Sequence, residues 1–145
     1  MNKSRKKLLF ELKKIAAHFR LSLSKIEIVR KTAIALDVAN NRLLVIDEND
    51  HPYFKTIDLH RIENCTLSID YRSIDAGELP RKNMDEFIEK IQLQISHVDP
   101  LKSIDIVFYK SEANNVHELG PLIKKATSWR DKITAMLPMN MQLSA

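Results

Sequence analysis

The side chains of this 145-residue chain that could do chemistry are one thiol, five imidazoles and scattered carboxylates. Cys65 is the single cysteine, so a thiol nucleophile would have to be this residue. It lies in a run of alternating apolar and polar residues, and an apolar environment raises the pKa of a thiol and lowers its reactivity. The pattern therefore predicts a buried structural cysteine rather than a nucleophile.

The histidines and the turn sequence DENDH give little support for a metal site. The histidines show no H-x-H or HExxH spacing. Asp47, Asn49 and His51 have the one-three-five spacing of a calcium loop, but Pro52 and Asp58 stand where an EF-hand needs glycine and glutamate. A polar hairpin turn accounts for the same residues, so we predict no metal and no cofactor.

The residue supply also argues against catalysis. Phosphate-binding loops and nucleophile elbows use glycine for tight backbone approach, and the chain has two glycines. There is no G-x-S-x-G, and no pattern places two carboxylates across a cleft. We therefore predict no catalytic residues and no enzyme activity.

Location in the cell is predicted from three negative features. With one cysteine, no internal disulfide can form, which suits a reducing compartment. No apolar run approaches the ~18 residues needed to span a bilayer. The basic start resembles a signal peptide, but Glu11, Lys13 and Lys14 interrupt its apolar stretch. We expect a cytoplasmic protein.

Positive charge is concentrated at the start of the chain. Residues 1–31 hold ten Lys and Arg against two Glu, whereas the remainder holds more acidic than basic residues. A basic segment can attract nucleic acid or an acidic membrane, here through residues 3–31. The alternative is a solvent-exposed helix face whose charge complements the acidic residues in the rest of the chain. The candidate anion-binding residues are Lys6, Lys7, Lys13 and Lys14.

An amphipathic helix is predicted over residues 1–22. Leu8, Leu12, Ile15 and Phe19 repeat with helical spacing and form one apolar stripe. The basic residues lie off this stripe or at its edge. The helix is expected to end near residue 20, where alternation begins.

Seven short strands are predicted over residues 25–109, where the apolar period is two. The turn ANN (39–41) favours a hairpin, because Asn tolerates left-handed backbone. In the longest alternation, Cys65 to Tyr71, the apolar residues share a face that we expect to lie on a core. Residues 75–86 lack an apolar period and predict a long loop.

A closing helix is predicted over 121–137. Its apolar residues repeat with helical spacing, Pro121 marks its start, and Pro138 ends it. A separate short turn is expected at VHEL, before the proline. Trp129, the single tryptophan, falls on the apolar stripe and is predicted to be a core residue rather than a docking residue.

This element order resembles the pleckstrin-homology-like superfold over residues 25–137. The stretch TIDLHRIENCTLSI is similar to the fourth-to-fifth strand passage of uncharacterised bacterial members, and FYKSE followed by L, A and W resembles their strand-to-helix junction. The resemblance implies an α+β fold, with a seven-stranded antiparallel bent sheet or partly open barrel closed by a C-terminal helix. The N-terminal helix would be an addition. Some relatives bind phosphoinositides through a basic loop, but here Arg30 and Lys31 leave almost no loop.

We expect a single domain over residues 1–145. Its sequence is consistent with three functions. The first is non-enzymatic binding or scaffolding of a protein or peptide, through an exposed strand edge or the loop over 75–86. The second is binding of an anionic surface, membrane lipid or nucleic acid, by the basic helix. The third is a small enzyme or ligand carrier.

Overall fold

The structure is a computed structural model, and it describes residues 3–48, 53–73, 75, 77 and 84–138. These residues form a helix, seven strands and a second helix, in that order along the chain. The elements are α1 (Lys3–His18), β1 (Lys25–Val29), β2 (Thr32–Asp37), β3 (Arg42–Asp47), β4 (Tyr53–Asp58), β5 (Ile62–Tyr71), β6 (Ile88–His97), β7 (Ile104–Lys110) and α2 (Leu119–Ala135). The chain divides into two compact units, the first holding α1 and β1–β4 and the second holding β6, β7, α2 and β5 from Glu63 onward.

The strands pair in two antiparallel sheets, with orders β1-β2-β3-β4 and β5-β6-β7. The α+β class with antiparallel sheet and terminal helices is thereby confirmed. The single seven-stranded sheet or partly open barrel is not confirmed, because β4 and β5 are not neighbours in either sheet. A 3-10 turn at Leu59–Arg61 separates them, held by an Asp58 carboxylate that accepts the His60 N–H at 3.0 Å.

Helix α1 ends at His18, before the end of the predicted range 1–22, and residues 1 and 2 of that range lie outside the described residues. Arg20 has left-handed backbone (φ 57°), the Leu21 N–H donates to the Ala16 carbonyl, and the Arg20 N–H donates to the Ala17 carbonyl. These two bonds are a Schellman motif, which ends the helix. Phe19 was expected in the apolar stripe, but it follows the helix and is 45% exposed.

Helix α1 packs on the first sheet through one apolar strip. Leu8, Leu12 and Ala16 are buried against Ala33 and Ala35 of β2, together with residues of β3. The two alanines carry no side chain beyond Cβ, so the helix lies close to the strand. Burying a leucine stabilises a fold by roughly 1.5–3 kcal/mol, so this strip is a main source of stability in the first unit.

Asp37 organises the turn between β2 and β3. Its carboxylate accepts hydrogen bonds from the Ser22 N–H at 2.8 Å and from the N–H and side-chain amide of Asn40 at 3.0 and 2.6 Å. Burial alone would raise the pKa of Asp37, but these donors together outweigh it and hold the pKa below its usual value. The turn ends at Asn41, which has φ 55° as its residue type predicts.

The second unit is built on the β6–β7 pair, against which α2 packs. Leu93 lies opposite Ile106 and Ile95 opposite Ile104, and all four side chains are buried. The register shifts between Ile91 and Gln92, as in a β-bulge. The predicted alternation is confirmed from Leu93 to Ile95 and from Ile104 to Phe108, whereas Gln92, beside the register shift, is buried.

Helix α2 begins two residues before the predicted start at Pro121. The expected short turn is present at Val116–Glu118, and Asn115 and Glu118 form a capping box that leads directly into the helix at Leu119. Pro121 is then in the first turn, where backbone N–H groups have no intrahelical acceptor. The helix ends at Ala135, before the predicted 137. Trp129 is fully buried, as predicted.

Strand β5 departs from its expected burial. Cys65 is buried, as predicted, whereas Ile69 and Tyr71 are 38% and 48% exposed. The shared face is therefore covered at the start of the strand and uncovered at its end. Most of the predicted loop over 75–86 lies outside the described residues, and its last residues enter a 3-10 turn at Met84–Phe87.

No helix in the described part of the chain combines the length and the apolar character needed to cross a bilayer.

We expect Asp37→Ala to lower the free energy of unfolding by roughly 1.5–3 kcal/mol, because three part-buried N–H donors lose a charged acceptor. Since the pKa is lowered in the folded state, the carboxylate stabilises the fold fully above its unfolded pKa of about 3.9 and loses this effect as pH falls through the folded pKa. The difference between wild type and Asp37→Asn should therefore shrink below about pH 4. Urea unfolding at several pH values measures it.

The control for this series is Asp105→Asn, at an exposed position on β7. It should change stability at neutral pH by less than about 0.5 kcal/mol. A wild-type advantage over Asp37→Asn that grows on acidification would contradict the assigned role of the carboxylate.

We expect Trp129→Ala to cost about 3–5 kcal/mol of unfolding free energy, because it empties the space of a fully buried indole. Lys124→Ala, at an exposed position of the same helix, should cost less than about 0.5 kcal/mol. Denaturant unfolding followed by circular dichroism compares the two. A negligible cost at Trp129, combined with loss of partner binding, would identify it as a docking residue instead.

Candidate functional site

Helix α1 leaves the outer part of its sheet face uncovered. It contacts β1, β2 and β3, and its buried strip lies over Ala33, Ala35, Leu44 and Ile46. The sheet continues past β3 to β4, the last strand in the order. The face beside α1 therefore extends one strand further than the helix core.

The strand register places Phe54 on this uncovered part. Residues directly opposite in an antiparallel pair share a face. Phe54 is opposite Ile46, and Thr56 is opposite Leu44. Ile46 and Leu44 belong to the core under α1. Phe54 consequently points to the same side of the sheet as the helix, and 50% of its side chain is exposed.

A groove of about 230 Å³ lies between α1 and the β3–β4 hairpin. Its apolar lining comes from one residue of α1 and one from each strand, and three carboxylates and a tyrosine complete it. We call this surface the β4 groove, and its lining residues are Glu11, Ile15, Ile46, Asp47, Glu48, Tyr53 and Phe54.

Aromatic rings extend the apolar wall of the β4 groove toward the end of α1. The ring centroids of Phe19 and Phe54 are 6.2 Å apart, and those of His18 and Phe19 are 5.0 Å apart in an edge-to-face arrangement. Both distances are within the range of favourable ring contacts. The half-exposed Phe19 and Phe54 therefore hold each other in place beside the groove.

Among the described residues β4 is the last strand of its sheet, and its outer edge borders the groove. Because β4 pairs with β3 on one side and is last in its sheet, the backbone groups on its other side point away from the sheet. Such an edge can pair with an added strand. Lys55 lies on the opposite face of the strand from Phe54, with its ammonium 5.7 Å from the Tyr53 ring centroid. The edge beside Phe54 therefore combines backbone donors and acceptors with an apolar surface.

Two other depressions are less suited to binding. One, of about 470 Å³, is formed by a single face of α2, from Ile123 to Lys132. The other, of about 300 Å³, lies on the second sheet near Asp70 and Glu89, and its charged groups face one another. Lys110 Nζ is 2.8 Å from a Glu112 carboxylate oxygen there. Charges satisfied within the protein offer less to a ligand.

The predicted anion-binding residues do not line the β4 groove, although Lys7 and Lys14 are helical neighbours of Glu11 at its edge. Lys6, Lys7, Lys13 and Lys14 are all exposed, and none of them lines the β4 groove. The calcium-like turn cannot be placed, because Asn49 and His51 lie outside the described residues. Within the described residues, no group of three His, Cys, Asp or Glu side chains could hold a metal ion.

The residues of the β4 groove were not predicted from the sequence. The adjacent aromatics Tyr53 and Phe54 are a signal that was present, because neighbouring strand residues point to opposite faces and one of two such rings must face outward or meet a separate layer. Phe19, at the far end of the apolar stripe, is a second signal. Neither signal shows how many strands of the sheet the helix covers.

Cys65 is placed as its sequence context predicts. It is buried on β5, and burial raises the pKa of its thiol to about 12, although the nearby Arg130 charge acts in the opposite direction. The thiol is therefore protonated at neutral pH, and the thiolate needed for nucleophilic chemistry is scarce.

Comparison with protein-family models, with curated proteins and with solved structures finds no match for this chain. Its function is therefore argued from the chemistry of its own surfaces.

We expect Cys65 to react with a disulfide reagent such as dithionitrobenzoate far more slowly in the folded protein than in urea, because both burial and the raised pKa of about 12 suppress the thiolate. Absorbance of the released thiolate measures the two rates. Labelling at neutral pH as fast as in the unfolded chain would show that the thiol is accessible and would reopen the case for a reactive cysteine.

Proposed function

We propose that this protein is a non-enzymatic binding module that takes up an extended peptide segment of a partner protein in the β4 groove. The observation that carries the proposal is the exposed Phe54 on the sheet face that α1 leaves uncovered, directly beside the free edge of β4. The sequence suggested binding through an exposed strand edge or through the loop over 75–86, and this proposal takes the strand edge.

The size of the groove favours a peptide side chain over a small-molecule ligand. Pockets that enclose small molecules typically measure roughly 300–1,000 Å³, and the β4 groove measures about 230 Å³. A single large apolar side chain can cover Ile15, Ile46 and Phe54. The rest of a peptide would then lie along the strand rather than inside a cavity.

The charge of the groove favours basic residues next to the apolar side chain of the bound peptide. Glu11, Asp47 and Glu48 place three carboxylates around the apolar lining. Complementary charge steers association and disfavours partners of like charge. We therefore infer a segment in which a large apolar residue is flanked by Lys or Arg.

Backbone pairing with β4 supplies the remaining contacts. In recognition by strand addition, main-chain hydrogen bonds give affinity and pockets for alternate side chains give specificity. Strand β4 spans Tyr53–Asp58, so a bound segment would be about as long. Because the apolar contact in the groove is small, we expect modest affinity for the peptide, and this affinity should depend strongly on Phe54.

A pleckstrin-homology-like relationship and a cytoplasmic location are part of this proposal. The meander order of the strands and the helix that follows them support the relationship. A crystal structure would test the relationship, which requires the sheets to form a partly open barrel closed by α2. The single cysteine supports a reducing compartment, and imaging of the tagged protein in its native cell would test that location.

The experiment is selection from a displayed library of short random peptides on the immobilised full-length protein. Selected peptides should share a large apolar residue with adjacent Lys or Arg. Phe54→Ala should weaken their binding roughly tenfold or more, as for aromatic residues at binding hot spots. Tyr71→Ala is the matched control, because Tyr71 is a similarly exposed aromatic residue, at 48%, on β5.

One further variant and one modified peptide separate the charge contacts from the backbone hydrogen bonds. Glu11→Lys should weaken the basic peptides by charge reversal, and N-methylation of alternate peptide bonds in a selected peptide should weaken it by removing backbone donors. Selected peptides that bind Phe54→Ala and wild type equally well would refute the assignment of the site, provided that both proteins melt at the same temperature.

A further inference from the structure

The outer face of α1 has a composition that the fold does not explain. Phe10 is 65% exposed, although the helix buries its apolar strip elsewhere. Phe10 lies two residues before Leu12, a rotation of about 200°, so it points away from the sheet. On a helix the surface neighbours of a residue are those three and four positions away. For Phe10 these four neighbours are Lys6, Lys7, Lys13 and Lys14.

This arrangement costs helix stability. Lys3 lies three and four residues from Lys6 and Lys7, so these like charges repel, and cations near a helix N-terminus oppose the helix dipole. Lys3, Lys6 and Lys7 lie near the start of α1, and its first turn contains no acidic residue. Among the described residues, none of the lysines around Phe10 forms an ion pair with a carboxylate. A negatively charged external surface would remove this repulsion.

The face is better matched to lipid than to nucleic acid. Single-strand binders stack several bases on several aromatic residues, and helices that read a duplex use Arg, Asn or Gln on base edges. Here one phenylalanine is surrounded by lysines alone. Lysines attract acidic head groups, and a central aromatic side chain can enter the apolar boundary beneath them. The helix is also a convex cylinder, which meets a flat surface along its length.

We propose that the outer face of α1 docks on an anionic lipid bilayer, with Phe10 inserted among the lipid chains and Lys6, Lys7, Lys13 and Lys14 on the head groups. Because Leu8, Leu12 and Ala16 remain in the protein core, the helix inserts one side chain and not its apolar strip. Binding is therefore reversible and depends on salt. The site shares no residue with the β4 groove, which it adjoins at Glu11.

The first test is co-sedimentation of the full-length protein with vesicles at low and high salt. We expect binding to an equal mixture of phosphatidylcholine and phosphatidylserine, little binding to pure phosphatidylcholine, and release by salt. Each lysine near an acidic surface strengthens binding by roughly fivefold, so Lys6→Gln with Lys13→Gln should weaken it roughly 25-fold. Lys102→Gln, at an exposed position in the second unit, is the control and should change nothing.

The second test is for insertion of Phe10. Phe10→Ala should weaken vesicle binding roughly tenfold, whereas Leu101→Ala, at a side chain that is 92% exposed, should leave it unchanged. The added fluorescence of Phe10→Trp, compared with wild type, should be quenched by brominated phosphatidylserine. Tyr71→Trp gives the comparison at an exposed position outside α1.

Three results would overturn the proposal. One is no sedimentation with acidic vesicles at low salt. Another is sedimentation that persists unchanged when Lys6 and Lys13 are neutralised or when Phe10 is truncated. The third is binding to a single-stranded oligonucleotide, dependent on Phe10, without vesicle binding. Phe54→Ala should retain vesicle binding, so failure of the β4 groove as a peptide site would leave this test intact.

Discussion

The close contact between α1 and the alanines of β2 is the constraint on which the first unit depends. Ala33 and Ala35 are fully buried and present almost flat backbone to the helix. A larger side chain at either position would push the helix away and open a void beside Leu12. Because the apolar strip is narrow, this one contact also fixes the rotation of α1 about its axis. That rotation turns Phe10 outward and Glu11 and Ile15 toward β4.

The chain makes its turns with little help from glycine. Arg20, Arg30 and Asn41 take left-handed backbone, a conformation that costs most residues about 1–2 kcal/mol. Each is placed where other contacts hold it. Arg20 closes the Schellman motif, Arg30 joins β1 to β2, and Asn41 follows the turn that Asp37 organises. In the described residues, left-handed backbone therefore occurs at Arg and Asn and not at either of the two glycines.

The sequence predicted those features that are determined locally. The periods of apolar residues located both helices and the strands, because burial of one face imposes the period directly. Errors arose where a neighbour decides the outcome. The start of α2 depends on the capping box of Asn115 and Glu118, which extends helical structure ahead of Pro121. The exposure of Ile69 depends on what covers the end of β5. Alternation of apolar residues does not predict which part of a strand face is covered.

The candidate site shows the same limit more strongly. Alternation is enough to place Phe54 on a strand, and helical spacing is enough to place the lysines on α1. The β4 groove exists because the helix is narrower than the four-stranded sheet beneath it. The lateral position of a helix on a sheet is set by side-chain volumes across several strands. No short segment of sequence contains that information, and this is why the lysines could be named from the sequence and the groove could not.

The acidic rim of the β4 groove also bears on self-association. An exposed strand edge with an aromatic side chain invites pairing with the same edge of another copy. A two-fold pair would combine the acidic rims of both molecules in one assembly, so the negative charges of Glu11, Asp47 and Glu48 would be present twice. Their repulsion disfavours the dimer while leaving the edge open to a basic segment. In the proposed complex, the same three side chains would both oppose self-pairing and favour a basic segment.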